Sequence, residues 1–246
     1  MSAWLEGRVI ENRGWTDSLW SLRVEAPPLL FEAGQFVRIA LDIGAERIAR
    51  PFSFVNAPAD PVLEFYGVIV PGGPLSPRLA RLAKDDALLI ADNPSGFLVL
   101  SEVPPAEDLW LVATGTGIAP FLSILRTEAP WQRYRRVILV HGARHPKELV
   151  YQDMIQAVAD AQGDRFVCIK FTTREKAPNA LEGRIPAAIR DGRLEAAGAP
   201  ITPERSQFML CGNPDMLKDV AAVLAERGLK KHRRRAPGQI TVESFW

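Results

Sequence analysis

The sequence predicts two domains of different class, an antiparallel β-barrel over residues 1–101 and a doubly wound parallel-sheet α/β domain over residues 109–246. The first hundred residues contain short β-branched and aromatic runs separated by Pro and Gly, which is typical of antiparallel barrels and sandwiches. Beyond them, apolar strand-like runs alternate with helical patterns, which indicates βαβ units and a parallel sheet. A chain of 246 residues has room for one large or two medium-sized domains.

The predicted barrel consists of five strands and one short helix. In its longest strand, apolar residues alternate with Glu64 and Tyr66, so we expect these two side chains on the face opposite the apolar residues. A Gly-Gly-Pro sequence precedes the helix. The predicted strands cover residues 19–24, 36–41, 52–56, 62–70 and 87–90, and the helix covers residues 75–82.

A change of composition separates the two predicted domains. Residues 101–108 contain two consecutive prolines and several acidic residues, which continue a strand poorly, so we expect a linker there. The predicted strands of the second domain cover residues 109–113, 137–140, 166–171, 207–211 and 239–242, and its helices cover residues 118–128, 148–161 and 214–227.

The composition excludes several classes of protein. The net charge is only +1, which argues against a nucleic-acid-binding protein. Two cysteines, Cys168 and Cys211, are too few for a disulfide framework or a four-thiolate iron–sulfur cluster, and the three histidines lack metal-ligand spacing. The sequence shows neither a secretory signal nor an apolar run of about 18 residues, so we expect a cytoplasmic protein that does not enter a membrane.

Residues 114–117 form a glycine-rich turn between a predicted strand and a predicted helix. Gly115 and Gly117 allow positive φ and close backbone approach, and the amides at the start of the helix can face a pyrophosphate. The match to the G-x-G-x-x-G pattern is incomplete, because Pro120 stands at the third glycine position. Two interpretations remain open: a dinucleotide-binding turn, or a tight strand-to-helix turn with no ligand.

Three arginines lie on loops that follow neighbouring predicted strands. Arg144 stands where NAD-binding proteins carry a carboxylate for the ribose 2′-hydroxyl, and Arg174 and Arg184 follow the next strand. Three guanidinium groups at one sheet edge can surround a dianionic 2′-phosphate. This pattern favours NADP(H) over NAD(H), although arginines on exposed loops are also common without a ligand.

The sequence Arg-Pro-Phe-Ser combines a cation, an aromatic ring and a hydroxyl on one predicted strand. Phe52 can stack on an isoalloxazine ring, Ser53 can hydrogen-bond the N5 edge of that ring, and Arg50 can pair with a pyrophosphate. Alternatively, Phe52 packs in the barrel core and Arg50 lies at the surface. The segment at residues 72–76 can supply amides and the Ser76 hydroxyl to a second anion site.

The C-terminal third contains a Cys-Gly pair, a basic run and an aromatic end. Cys211 follows the predicted strand at the same sheet edge as the glycine turn, so its thiol lies beside a nicotinamide ring or is a buried structural cysteine. The basic run at residues 230–235 can attract an acidic protein or be a solvated loop. Phe245 and Trp246 end the chain and can cover a flat ring or form an oligomer contact.

Together these motifs resemble those of the bacterial-type ferredoxin/flavodoxin–NADP⁺ reductases, and the resemblance covers nearly the whole chain. Phe52 departs from the R-x-Y-S flavin motif, in which Tyr is usual; the lost hydroxyl is worth about 1 kcal/mol. The resemblance implies that Ser53 and Cys211 lie at the catalytic site. The cofactor-binding residues that it implies are Arg50, Pro51, Phe52, Ser53, Gly73, Leu75, Ser76, Thr114, Gly115, Thr116, Gly117, Arg144, Arg174, Arg184, Cys211, Gly212, Phe245 and Trp246.

The resemblance also implies an oxidoreductase with FAD and NADP(H) as cofactors. Hydride would pass between NADP(H) and the flavin, and single electrons to or from an acidic carrier, ferredoxin or flavodoxin. We expect a monomer that binds neither nucleic acid nor membrane. Two alternatives remain: a reductase of the same architecture that uses NADH or reduces free flavin, quinone or a haem protein, and a flavin-holding subunit that does not turn over.

Overall fold

The structure is a computed structural model that describes residues 3–244. It contains two six-stranded sheets, and the strands of the first lie within residues 4–91 and those of the second within residues 108–244. The first sheet is antiparallel and the second is parallel. The fold class predicted from the sequence is therefore confirmed.

The antiparallel sheet curls around an apolar interior. Its strands are β1 (Trp4–Gly14), β2 (Leu19–Glu25), β3 (Phe36–Ile43), β4 (Glu46–Ser53), β5 (Leu63–Val68) and β6 (Ala87–Ala91), hydrogen-bonded in the order β4-β3-β6-β1-β2-β5. The two edge strands approach each other at an isolated antiparallel bridge between Phe54 and Phe65, which closes the barrel. Gly67 has no side chain because the Trp20 indole occupies that space: an added Cβ would lie 2.3 Å from it. Helix α1 (Ser76–Leu79) follows β5.

The parallel sheet has helices on both faces. Its strands are β7 (Asp108–Thr114), β8 (Arg136–Ala143), β9 (Phe166–Thr172), β10 (Ala180–Glu182), β11 (Ser206–Gly212) and β12 (Ile240–Ser244), in the order β10-β9-β8-β7-β11-β12. The continuous apolar runs in β7, β8 and β11 are buried on both faces, as expected for parallel strands. One face packs against α2 (Ala119–Leu125), α3 (Ala129–Arg133) and α4 (Gln152–Gln162), and the other against α5 (Ile185–Arg190), α6 (Arg193–Ala197) and α7 (Pro214–Glu226).

One apolar cluster continues from the barrel into the second sheet. It includes Val55 and Tyr66 of the barrel and Phe121 of α2. The residues between the sheets join it: Leu100 is buried, and Arg133 donates a hydrogen bond to the Leu100 carbonyl. The connection is therefore packed against both sheets, and the domain limits 1–101 and 109–246 stay a prediction.

Several elements differ from the sequence-based prediction. β1 was not predicted, because its sequence mixes exposed polar residues with few apolar ones. β4 begins at Glu46, earlier than the predicted strand at residues 52–56. Tyr66 lies opposite the barrel core as expected, yet it is buried, because that face packs against the second domain. A single 3-10 turn replaces the predicted start of the helix at Ile118.

Candidate functional site

The Arg-Pro-Phe-Ser motif lines a cavity of about 500 Å³ at the end of β4. The opposite parts of its wall come from β5 and from the segment that leads into α1. Residues of the glycine turn and of α2, in the second domain, complete it. The predicted site residues in this wall are Arg50, Pro51, Phe52, Ser53, Gly73, Leu75, Ser76 and Thr116.

The wall of this cavity combines an aromatic ring with buried hydroxyls that need partners. Ser53 Oγ and Tyr66 Oη have no hydrogen-bond partner among residues 3–244. A buried unsatisfied polar group costs about 1–3 kcal/mol, so a ligand with a polar edge would be stabilised here. The Phe52 ring is half-buried and packs against Trp20 at a centroid distance of 5.7 Å. This combination fits an isoalloxazine, which is flat, apolar on its faces and polar along one edge.

The segment before α1 is held in a compact turn. The Val70 amide donates to Ser76 Oγ at 2.9 Å, and the Gly73 amide donates to the Val70 carbonyl at 2.9 Å. An added Cβ at Gly73 would lie 3.0 Å from that carbonyl oxygen, which leaves little room for a side chain. Arg50, in the wall of the same cavity, supplies a positive charge. The turn and Arg50 together fit an anionic diphosphate group.

The glycine turn and the Cys-Gly turn are in direct contact. The glycine turn is a 3-10 turn that follows β7 and leads directly into α2. An added Cβ at Gly117 would lie 2.5 Å from the Cys211 carbonyl oxygen. The Asn213 amide donates to Thr114 Oγ1 at 3.0 Å. The two predicted motifs, almost one hundred residues apart in sequence, therefore form one continuous surface at the carboxyl edge of the sheet.

A second cavity, of about 570 Å³, lies at this carboxyl edge. Arg144 and Arg184 line it, whereas Arg174 does not; the Arg174 amide instead donates to the Arg144 carbonyl at 3.0 Å. Glu148 also lines the cavity, and its carboxylate accepts the Arg144 amide at 2.8 Å. The other predicted site residues in the wall are Thr114, Gly115, Thr116 and Gly212.

The two cavities adjoin. Val68 of β5 and Thr116 of the glycine turn belong to the walls of both. A flat ring in the first cavity and a second ring at this end of the second cavity would consequently be close to each other. Such proximity is what the transfer of a hydride between two bound rings requires.

Cys211 is fully buried behind Gly212 and does not line either cavity. Burial, together with the nearby Glu243 carboxylate, raises the pKa of the Cys211 thiol well above its usual value. The thiol therefore stays protonated and is a poor nucleophile. Its predicted contact with a nicotinamide ring stays a prediction.

Two ionisable residues beside the site were not found by sequence patterns: His141, which is fully buried, and Glu243, which is half-buried. Glu243 of β12 is paired in register with Cys211, and burial raises its pKa to about 7. His141 Nε2 lies 3.2 Å from the carbonyl oxygen of Gly115, which has a φ of +54°. Burial lowers the pKa of His141 to about 4, so the ring is neutral and Nε2–H can donate to this carbonyl. The only sequence signal for His141 is its position directly after an apolar strand.

The basic run contacts the segment that connects the two sheets. Arg234 donates to both carboxylate oxygens of Glu102, at 2.8 and 2.6 Å, and its guanidinium lies 4.5 Å from the centre of the Phe97 ring. Phe97 is 65% exposed. Phe245 and Trp246 lie outside the described residues, so their predicted role stays a prediction.

Neither a membrane helix nor a metal cluster is found in the described structure. No helix within residues 3–244 combines the length and the hydrophobicity needed to cross a bilayer. Over the same residues, no three His, Cys, Asp or Glu side chains converge as metal ligands would.

Comparisons with known proteins agree with this geometry. Residues 111–222 match the family model described as an oxidoreductase NAD-binding domain. A flavodoxin/ferredoxin–NADP reductase of Shigella flexneri is 45% identical to the chain, with complete coverage of both sequences. A ferredoxin–NADP reductase of Pseudomonas aeruginosa is 37% identical and covers 96% of the chain and 95% of its own length. The crystal structure of a ferredoxin NADP⁺ reductase from Neisseria gonorrhoeae, with bound FAD and NADP, superposes with a TM-score of 0.95 at 34% identity and full coverage of both chains.

Proposed function

The chain belongs to the flavodoxin/ferredoxin–NADP reductase family, and we propose that it performs the reaction for which its relatives are named. It is an oxidoreductase that uses FAD and NADP(H) and exchanges electrons with a ferredoxin or a flavodoxin. The observation that supports this function most directly is that the two cavities adjoin at Val68 and Thr116.

The first cavity is the proposed FAD site. Phe52 stacks on the isoalloxazine, and the Ser53 hydroxyl, which lacks a partner among the described residues, donates to its polar edge. Arg50 and the turn that contains Gly73 and Ser76 bind the diphosphate. When bound, FAD supplies the ability to accept a hydride and to release electrons one at a time.

The second cavity is the proposed NADP(H) site. The amides of the glycine turn face the nucleotide diphosphate, and Arg144 and Arg184 bind the 2′-phosphate. Arg174 adds a third positive charge from the adjacent loop. The hydrogen bond from its amide to the Arg144 carbonyl holds this loop against Arg144. The Glu148 carboxylate also lies in this wall. It accepts hydrogen bonds from the Arg144 and His145 amides, at 2.8 and 3.1 Å.

Residues at the junction orient the two rings. Ser53 acts from the barrel side, and the Cys211 turn forms the floor on the nucleotide side. Because the Cys211 thiol stays protonated and lies behind Gly212, its role is to support the turn beside the nicotinamide rather than to carry charge. Val68 and Ala119 contribute apolar side chains to the wall near the junction.

The basic run is the proposed docking surface for the electron carrier. Lys230, Lys231, Arg233 and Arg235 carry positive charge next to the Arg234–Phe97 pair. A positive surface increases the association rate with an acidic protein, and the exposed Phe97 ring offers an apolar contact beside Arg234. A monomeric state and a cytoplasmic location stay predictions from the sequence.

The proposed function is tested by anaerobic titration of the FAD-loaded chain with NADPH and, separately, with NADH. We expect NADPH to bleach the flavin absorbance in preference to NADH, and the reduced protein to pass electrons to a ferredoxin or flavodoxin. Preferential bleaching by NADH would favour a reductase of the same architecture with another nucleotide. A flavin that neither nucleotide reduces would favour a binding subunit and would contradict the proposed function.

A further inference from the structure

The boundary between the two domains contains a tyrosine with an unusual backbone conformation. Tyr151 directly precedes α4 and has φ 61° and ψ 24°, in the left-handed region. This region is sterically unfavourable for a bulky residue, so the surrounding contacts must hold Tyr151 in place. The side chain is almost fully buried.

The Tyr151 side chain is held by residues of the barrel. Its hydroxyl donates to Glu64 Oε1 at 2.9 Å. Its ring lies 4.9 Å from the Trp15 ring and meets the Tyr66 ring edge-on at 5.4 Å. Trp15, Glu64 and Tyr66 all precede the second domain in sequence. The left-handed backbone thus directs the ring across the domain boundary.

Tyr151 ends the segment that carries a proposed 2′-phosphate ligand. This segment begins at Arg144 and is closed on itself, because Glu148 accepts the amides of Arg144 and His145 at 2.8 and 3.1 Å. Three residues later, Tyr151 attaches the segment to the barrel. A shift of Tyr151 would therefore move Arg144 relative to the barrel.

On the barrel side, Tyr151 contacts the wall of the proposed flavin cavity. Tyr66 belongs to that wall, and Glu64 lies two residues earlier on the same face of β5. The other polar contacts across the boundary attach other elements: Ser123 Oγ of α2 donates to the Asn56 carbonyl at 2.7 Å, and Arg126, directly after α2, pairs with Asp60 at 2.8 Å and lies 3.9 Å from Glu64. Arg133 of α3 donates to the Leu100 carbonyl. Tyr151, in contrast, attaches the segment that follows β8.

We propose that Tyr151 is a positioning residue that sets the distance between the 2′-phosphate segment and the flavin cavity. It acts through its hydrogen bond to Glu64 and its packing on Tyr66. The inference rests on the proposed function. In the proposed function the 2′-phosphate ligands Arg144 and Arg184 both belong to the second domain, whereas hydride transfer engages both domains. Loss of the Tyr151 hydroxyl should consequently slow hydride transfer without weakening the binding of the adenosine half.

The first test compares Tyr151→Phe with the wild type, with Tyr134→Phe as the matched control. Tyr134 is a buried tyrosine of the same domain whose hydroxyl has no partner among the described residues. We expect Tyr151→Phe to lower the limiting rate of flavin reduction by NADPH about tenfold, because small misplacements of reacting groups are costly. The Kd of 2′-phospho-AMP should stay within about twofold, and Tyr134→Phe should change neither quantity.

The second test changes the acceptor of the hydrogen bond. Glu64→Gln keeps a side-chain oxygen for the Tyr151 hydroxyl and should retain most of the rate, whereas Glu64→Leu should lose about as much as Tyr151→Phe. Glu64→Leu also removes the carboxylate that lies 3.9 Å from Arg126, so the double variant Glu64→Leu/Tyr151→Phe is compared with Glu64→Leu. It should be no slower than Glu64→Leu alone, because that change has already broken the contact with the Tyr151 hydroxyl. The proposal would be overturned if the rate of the double variant fell by the product of the two single losses. It would also be overturned if the Glu64→Gln enzyme were as slow as the Glu64→Leu enzyme.

Hydrogen exchange provides a measurement that does not depend on turnover. Tyr151→Phe should accelerate amide exchange in residues 144–152 while leaving β8 unchanged. Unchanged exchange in this segment, a wild-type limiting rate, or equal losses of rate and of 2′-phospho-AMP affinity would each contradict a positioning role. If NADPH does not reduce the flavin of the wild type, the proposed function fails instead, and the exchange result still decides whether Tyr151 fixes the segment.

Discussion

Replacing Gly117 with alanine tests whether the contact between the glycine turn and the Cys-Gly turn sets the geometry of the reaction. The added Cβ would lie 2.5 Å from the Cys211 carbonyl oxygen and 2.7 Å from Gly212 Cα. Both are backbone atoms, so rotation of a side chain cannot relieve the overlap. Extending the shortest contact to 3.4 Å, where ordinary van der Waals contact begins, requires the turns to separate by about 0.9 Å.

The expected result follows from this displacement. A misplacement of about 1 Å can cost about a hundredfold in rate, so we expect Gly117→Ala to slow flavin reduction by NADPH between about tenfold and a hundredfold. The bound FAD content should not change, because Gly117 does not line the first cavity. The same overlap should destabilise the fold by about 1–3 kcal/mol, as overpacking of a tight site usually does. Stopped-flow absorbance measures the rate, and urea unfolding measures the stability.

Gly198→Ala is the matched control. An added Cβ at Gly198 would lie 2.6 Å from the Trp110 ring, in the same domain but in the core on the far face of the sheet. We expect a comparable loss of stability with a normal rate of flavin reduction. A Gly117→Ala enzyme that reduces its flavin at the wild-type rate, or a Gly198→Ala enzyme that is slowed equally, would refute the reasoning.

Three further predictions concern a proposed phosphate ligand, a half-buried carboxyl and the chain end. Arg144→Ala should raise the KM for NADPH about tenfold or more and leave the KM for NADH unchanged, because it removes one charged hydrogen-bond donor; steady-state kinetics with both nucleotides measure this. Burial raises the pKa of Glu243 to about 7 from its ordinary 4.5, so the folded chain retains a proton that the unfolded chain releases. The contribution of Glu243 to the free energy of unfolding should therefore be fully present below about pH 4.5 and should fall by up to about 3 kcal/mol as the pH rises through 7. Glu243→Gln should remove this pH dependence in urea unfolding from about pH 5 to 8. Deletion of Phe245 and Trp246 should change kcat or the affinity for NADP(H) while FAD stays bound, and unchanged kinetics would remove these residues from the mechanism.

The parts of the site that were predictable are formed by residues close in sequence. The glycine turn stands between a continuous apolar strand and a helix, so its place at the carboxyl edge follows from the rules of parallel sheets. The same rule brings Cys211 and Arg144 to that edge. β1 was not predicted, because one face of this strand forms the polar outer surface of the barrel and only a few of its residues are buried.

Contacts between distant segments were not predictable. Glu243 looks like an ordinary polar residue in a terminal strand, yet it is half-buried beside Cys211 and its pKa rises to about 7. Tyr66 was assigned to an outward face, and the second domain buries that face. The left-handed backbone of Tyr151 has no signature in the sequence around it, because barrel residues supply the contacts that hold it.

The sequence by itself determined the order and class of the two sheets, the glycine-rich turns and the arginines at the strand ends. These properties depend on local periodicity, on the conformational freedom of glycine and on fixed charges, all of which can be read over a few residues. The tertiary structure alone decided that the two cavities adjoin at Val68 and Thr116, and which ionisable groups are buried. Burial, pKa and the spacing between sites depend on atoms from both domains, and these atoms come together only in the folded chain.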